Sequence, residues 1–210
     1  FMTVDSPDVD RIVTGGIGSR RYRVTFRGPG GHSFAAFGMV NPVYAMAEAA
    51  RGLAAVKVPR EPVTTHCVSV ISGGTSINAI PETAVMEVDL RSASEKELKR
   101  LDDTFLRIVK EAVAGENAAR EGTITVDVKL VGDRPAGHTP NGAPIARLAA
   151  AAVSAEGYVP SFEWSSTDAN VPMSLGIPAL RIGSGGRGGR AHSLEEWIDV
   201  EIEESLRGMR

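Results

Sequence analysis

The chain has 210 residues, 42% of them apolar, enough for one large or two small domains with a real core. Its 23 basic and 26 acidic residues are interspersed and sum to a net charge of −3, which excludes the polybasic surface that nucleic acid or an anionic membrane demands. No apolar run reaches the roughly 18 residues of a membrane span, and no leader of charged, apolar and small-residue blocks opens the chain, so a cytoplasmic address and small-molecule or peptide chemistry are expected.

The chain begins FMTVDSPDVD, with Phe ahead of Met, as a processed chain or the later part of a longer polypeptide would. In RYRVTFR (21–27), Tyr22, Val24 and Phe26 share one face and Arg21, Arg23, Thr25 and Arg27 the other, which predicts a half-buried strand. GPGGHS then sets His32 on a glycine-rich turn. Val43, Met46, Ala50, Leu53 and Val56 recur at helical spacing behind Pro42, predicting an amphipathic helix. THCVSVI and AVMEVDLR read as two strands joined by the loop GGTSINAIP, with Ala84, Met86, Val88 and Leu90 on one face of the second. The single cysteine, Cys67, lies in the first of these and is expected to be buried as a small hydrophobe.

Ser94 and Glu97 form a capping-box pair at the head of a helix with Leu98, Leu101, Phe105, Ile108 and Val113 on one stripe. TITVDVKL closes the unit, with Ile124, Val126, Val128 and Leu130 expected to face inward. The order over 21–131 is β-α-β-β-α-β, a ferredoxin-like split βαβ with one sheet and two helices on one of its faces. Beyond the turn-rich GDRPAGHTPNG, a helix from about Ala143 to Ala155 is followed by SFEW, SSTDAN, IPALRIG, a glycine-rich loop and AHSLEEW, short elements with no closed core of their own.

Of the four histidines, His66 and His138 read as structural or exposed, whereas His192 follows the loop GSGGRGGRA and precedes the acidic pair Glu195-Glu196. An imidazole so placed suits a metal ligand. The same HSLEE suits a helix start with Ser193 as its N-cap. Asp168 in SSTDAN reads alone as a helix cap. Asn78 and Arg91 read as a turn residue and an ion-pair partner, or as the amide and guanidinium fork that recognise a carboxylate. Asp5 stands among Asp8 and Asp10, any of which suits a solvated surface.

Together GPGGHS, GGTSINAIPETAVMEVDLRS, SSTDAN, GIPALRIG and AHSLEEWID resemble, in order and spacing, the M20 family of zinc metallopeptidases and amidohydrolases, and most of all its peptidase T-like branch. The resemblance implies an α/β fold: an α+β, ferredoxin-like βαββαβ lid and dimerisation domain (21–135) inserted in a catalytic α/β domain, to which 1–20 and 136–210 contribute incomplete parts. It makes His32 the lid histidine that reaches the partner subunit's active site and polarises the scissile carbonyl. Asn78, also in trans, and Arg91 become substrate-binding residues, with Thr167 and Asp168 lining the pocket and Gly185 and Gly186 in a loop that offers backbone N–H groups. His192 and Asp5 become ligands of a site of two Zn2+ ions. The implied reaction is hydrolysis of an amide bond in a small peptide or N-acyl amino acid by a homodimer joined through the lid, with neither nucleic acid nor membrane as partner.

The family's remaining metal ligands and its general base fall before the lid and are absent from this sequence. The chain is therefore expected to be catalytically incomplete as given, with poor zinc affinity. A non-catalytic dimerisation or peptide-binding module is the alternative.

Overall fold

Two short strands open the chain in the computed structural model, β1 (Met2–Val4) and β2 (Arg11–Gly16), and the first long strand, β3 (Gly18–Arg27), starts after Ile17 alone. Residues 1–191 and 193–209 are described. The chain divides into two compact units, Ser19–Asp133 and the paired segments Phe1–Gly18 and Arg134–Arg210.

In the unit Ser19–Asp133, β3 leads through a two-residue strand, β4 (Gly31–His32), to helix α1 (Pro42–Ala54). Next come β5 (Thr64–Gly73), a second two-residue strand β6 (Ala79–Ile80), β7 (Thr83–Ser92), helix α2 (Glu95–Ala119) and β8 (Thr125–Arg134). The sheet order β5-β7-β3-β8 puts the first and third long strands side by side at its centre, the arrangement of a ferredoxin-like α/β lid. Both helices begin at side-chain caps: Asn41 Oδ1 accepts from the Val43 amide at 2.9 Å, and Ser94 Oγ from the Glu97 amide at 3.4 Å. Only that half of the expected capping box forms. The Ser94 amide is taken by Ser92 Oγ at 3.0 Å, and the Glu97 carboxylate turns to Arg100 at 2.7 Å.

The inward stripes meet in one core, where Val24, Phe26, Leu53, Met86, Leu90, Leu98, Leu101 and Phe105 have no exposure at all. Burying each such side chain contributes about 1.5–3 kcal/mol. The other face of the sheet carries ion pairs, Arg21 to Asp89 at 3.2 Å and Arg23 to Glu87 at 2.8 Å, whose opposed numbering shows β3 and β7 running antiparallel. Cys67 is on this outer face, opposite Asp89, and is exposed rather than buried as expected. The alternation of β5 turns His66 and Val68 inward and leaves the cysteine on the side that no helix covers. Leu130 likewise stays 44% exposed, because β8 is an edge strand whose inward contacts end with Val128.

The second unit continues with β9 (Gly137–His138), helix α3 (Pro144–Ala155), β10 (Ser161–Ser165), helix α4 (Asn170–Ser174) and β11 (Leu180–Ile182). A hairpin of β12 (Arg187–Gly189) and β13 (Trp197–Asp199) and the short helix α5 (Ile202–Ser205) follow. Its main sheet has the order β1-β11-β2-β10, with β9 also on β2. Ile12, Val153 and Leu180 form its core, with Ile145, Ala149 and Ile182 around them. Ser193 caps no helix; it sits in a turn ahead of β13, where its carbonyl accepts from the Glu196 amide at 3.2 Å. Among the described residues no helix is long and apolar enough to cross a membrane.

Candidate active-site residues

His32 and Asn78, 46 positions apart in sequence, become neighbours through the short β4–β6 ladder, in which Gly31 faces Ile80 and His32 faces Ala79. The Ser33 amide donates to the Asn78 carbonyl at 2.9 Å and closes the pair. Gly30 makes the approach possible. Its φ of +70° suits glycine, and a Cβ there would lie 2.5 Å from Glu82 Cγ.

Two backbone amides, of Phe34 at 3.2 Å and Ala35 at 3.4 Å, donate to His32 Nδ1. The lone pair is thereby fixed on Nδ1 and the proton on Nε2. At Asn78, the Ser76 hydroxyl donates to Oδ1 at 2.6 Å, which leaves Nδ2 to donate elsewhere. One N–H donor on β4 and another in the turn just ahead of β6 are of the kind that suits an oxygen on which negative charge develops.

Arg91 is not part of this cluster. It sits near the last residue of β7, whereas Asn78 precedes the first, and the eight steps from Thr83 to Arg91 span roughly 26 Å at about 3.3 Å per residue. Its Nε donates to Asp89 at 2.7 Å and its side chain is half-exposed.

In the second unit Asp5 is exposed just past β1, its amide donating to the Ile182 carbonyl at 3.0 Å. Thr167 is buried, and its hydroxyl accepts from the Ala169 amide at 3.2 Å. Asp168 therefore does not cap α4 as its isolated reading suggested. It is exposed and pairs with Arg134 at 3.3 Å.

Gly185 and Gly186 have φ of +104° and +80°, and a Cβ on the first would strike the Glu204 carbonyl. The expected offer of N–H groups to a ligand fails at Gly185. Its amide donates to the Pro7 carbonyl at 3.1 Å, and the neighbouring Ser184 amide to the Ser6 carbonyl at 2.8 Å, so both are spent on holding the loop.

His192, the other expected metal ligand, lies outside the described residues. Among the described residues no three His, Cys, Asp or Glu side chains stand close enough to hold a metal ion. The described residues therefore assemble no metal site by themselves.

Two residues of this unit escaped the sequence reading. Asn170, without exposure, accepts from the Thr167 amide at 2.9 Å and donates to the carbonyls of Ile17 and Pro135, both at 2.9 Å. A Cβ on Gly16 would lie 2.8 Å from it, so glycine and amide are matched. Arg181 is 9% exposed within β11; its signal was a charge inside the apolar run IPALRIG.

The sequence of residues 14–117 matches the peptidase dimerisation domain of M20 type. The chain carries an M20 dimerisation domain. The chain as a whole is similar in fold to an aminopeptidase PepT from Bacillus cereus (22% identity, TM-score 0.75, covering 95% of this chain and 52% of that one). It is similar also to a tripeptidase from Staphylococcus aureus (18%, TM-score 0.75, 93% and 50%). An aminobenzoyl-glutamate utilization protein from Klebsiella pneumoniae is a third (20%, TM-score 0.65, 87% and 49%). The chain thus spans about half the length of the solved structures it matches.

Proposed function

We propose that the chain supplies the dimerisation lid and part of the catalytic domain of a cytoplasmic, homodimeric M20 hydrolase that cleaves an amide bond in a small peptide or N-acyl amino acid. The observation that carries this reading is the His32–Asn78 pair, two exposed side chains held together by the β4–β6 ladder with their N–H groups free to donate. The similarity to an aminopeptidase and a tripeptidase supports amide hydrolysis as the chemistry.

In this reading, His32 Nε2–H and Asn78 Nδ2–H donate to the scissile carbonyl oxygen. As water adds and the oxygen gains charge, both hydrogen bonds strengthen, so the pair lowers the barrier more than it tightens substrate binding. Arg91 binds a substrate carboxylate. Because it lies at the far end of β7, one substrate meets His32 and Asn78 from one subunit and Arg91 from the other. Asp5 and His192 are the chain's contributions to a site for two Zn2+ ions, completed by residues beyond this sequence.

The test is kinetic. In the full-length enzyme His32→Ala lowers kcat by about a hundredfold to a thousandfold while KM changes little, and His32→Gln, which keeps a donor, recovers part of the loss. An unchanged kcat in His32→Ala refutes the role.

A further inference from the structure

Arg181 has the only buried polar side-chain atoms among the described residues that lack any hydrogen-bond partner, Nε and Nη1. Only Nη2 is engaged, by Ser6 Oγ. A guanidinium keeps its charge at any physiological pH, and a buried charge with neither counter-ion nor full hydrogen bonding is among the costliest arrangements a fold can hold. No acidic side chain among the described residues pairs with it.

The surroundings are built. The register places Arg181 beside Thr3, and Leu180 and Ile182 on either side of it pack toward Val153 of α3. Arg181 therefore points away from that core, on the face to which strand alternation also assigns Thr3 and Asp5. Ser6 holds a φ of +65°, rare for serine, and its carbonyl is pinned by the Ser184 amide at 2.8 Å and the Ser184 hydroxyl at 3.1 Å. Its hydroxyl accepts from Arg181 and keeps its own proton to donate. Unmet donors lie on both edges of the guanidinium plane, with a hydroxyl next to them.

We propose that Arg181 and Ser6 form a receptor for a carboxylate or other small oxyanion. The unmet donors are closed off from solvent, so the anion enters as the wall that includes the Ser6 turn yields. That an anion binds follows from Arg181 alone; that it is a carboxylate of the substrate rests on the hydrolase reading above.

The experiment needs no catalysis. Both tryptophans, Trp164 and Trp197, belong to the unit that holds Arg181, so tryptophan fluorescence reports its unfolding. Thermal unfolding of the chain is followed in acetate and, separately, in inorganic phosphate at constant ionic strength. Without either anion, Arg181→Met melts above the wild type. At a hundredfold excess over Kd, acetate or phosphate raises the wild-type midpoint by about 5 °C or more and leaves the variant unmoved.

A response to acetate but not to phosphate identifies a carboxylate receptor, and a response to both a general oxyanion receptor. A wild-type midpoint unmoved by either anion overturns the proposal, as does an equal shift in Arg181→Met. Should that variant fail to fold, the Arg181 Nε–H resonance of the wild type, assigned with Arg181→Lys, decides: it moves on addition of the anion, or the proposal falls. Failure here leaves the role of His32 untouched, because the two residues are probed by different readouts.

Discussion

Asp102 offers the sharpest test of how the lid is held together. Although charged, it is only 6% exposed on α2, and it accepts from the Tyr22 hydroxyl and from Arg20 Nη1, each at 2.6 Å. Replacement by alanine strands a buried hydroxyl, costing about 1–3 kcal/mol, and removes the principal partner of a mostly buried guanidinium. Loss of one partner of a buried pair costs about 3–5 kcal/mol. Because Arg20 keeps Glu95 at 3.2 Å and Asp133 at 3.7 Å, the lower end applies. We expect Asp102→Ala to destabilise the lid by about 3 kcal/mol and Asp102→Asn, which still accepts from Tyr22, by less than that.

The assay is urea unfolding followed by helical circular dichroism, since the lid contains the 25-residue α2 while both tryptophans lie in the other unit. A loss of under about 1 kcal/mol, the worth of an exposed pair, would refute the reasoning.

The same cluster gives a pH dependence. Burial, and then the hydrogen bond to Asp102, raise the Tyr22 pKa above its ordinary value of 10.0. The folded lid therefore holds the phenol proton more tightly than the unfolded chain does, and the stability gained is complete below pH 10.0 and lost as pH rises through the folded pKa. Urea midpoints measured above pH 10.0 should fall in the wild type and fall less steeply in Tyr22→Phe; equal slopes would exclude this origin. At the tip, Gly30→Ala forces a Cβ against Glu82 from a left-handed backbone. In the full-length enzyme it should cost kcat at least about tenfold through displacement of His32, while lid stability falls by only about 1–3 kcal/mol. Intact kcat with the variant folded would mean that the β4–β6 ladder does not position the histidine.

The lid was legible in sequence because its strands and helices obey one rule. Each has a single apolar face turned to a single core, so the periods in Tyr22–Phe26, Ala84–Leu90 and Leu98–Phe105 predict both the elements and the ferredoxin-like order. Cys67 and Leu130 were misjudged for a related reason: apolarity gives no information on which side of a strand is covered, or on which strand forms the edge. The β4–β6 ladder was invisible, since two-residue strands leave no period and their pairing joins segments 46 residues apart.

In the second unit the strands are two to six residues long, and the signal passed to individual polar side chains. Asn170 is fixed by three hydrogen bonds that only the folded chain brings together. Arg181 differs, because a charge within an apolar strand was visible in the sequence and its lack of a partner was not.

The central claim, that the lid serves its partner's site, is tested most directly by mixing two inactive full-length variants, His32→Ala and Asp5→Asn. If the histidine acts in trans, each mixed dimer contains one site with an intact Asp5 and an intact His32 from the other subunit. Random exchange of subunits then restores about a quarter of the wild-type activity, since half the dimers are mixed and each has one whole site. If His32 serves its own subunit, every site in the mixture is defective and activity stays at the level of the separate variants, which would contradict the account.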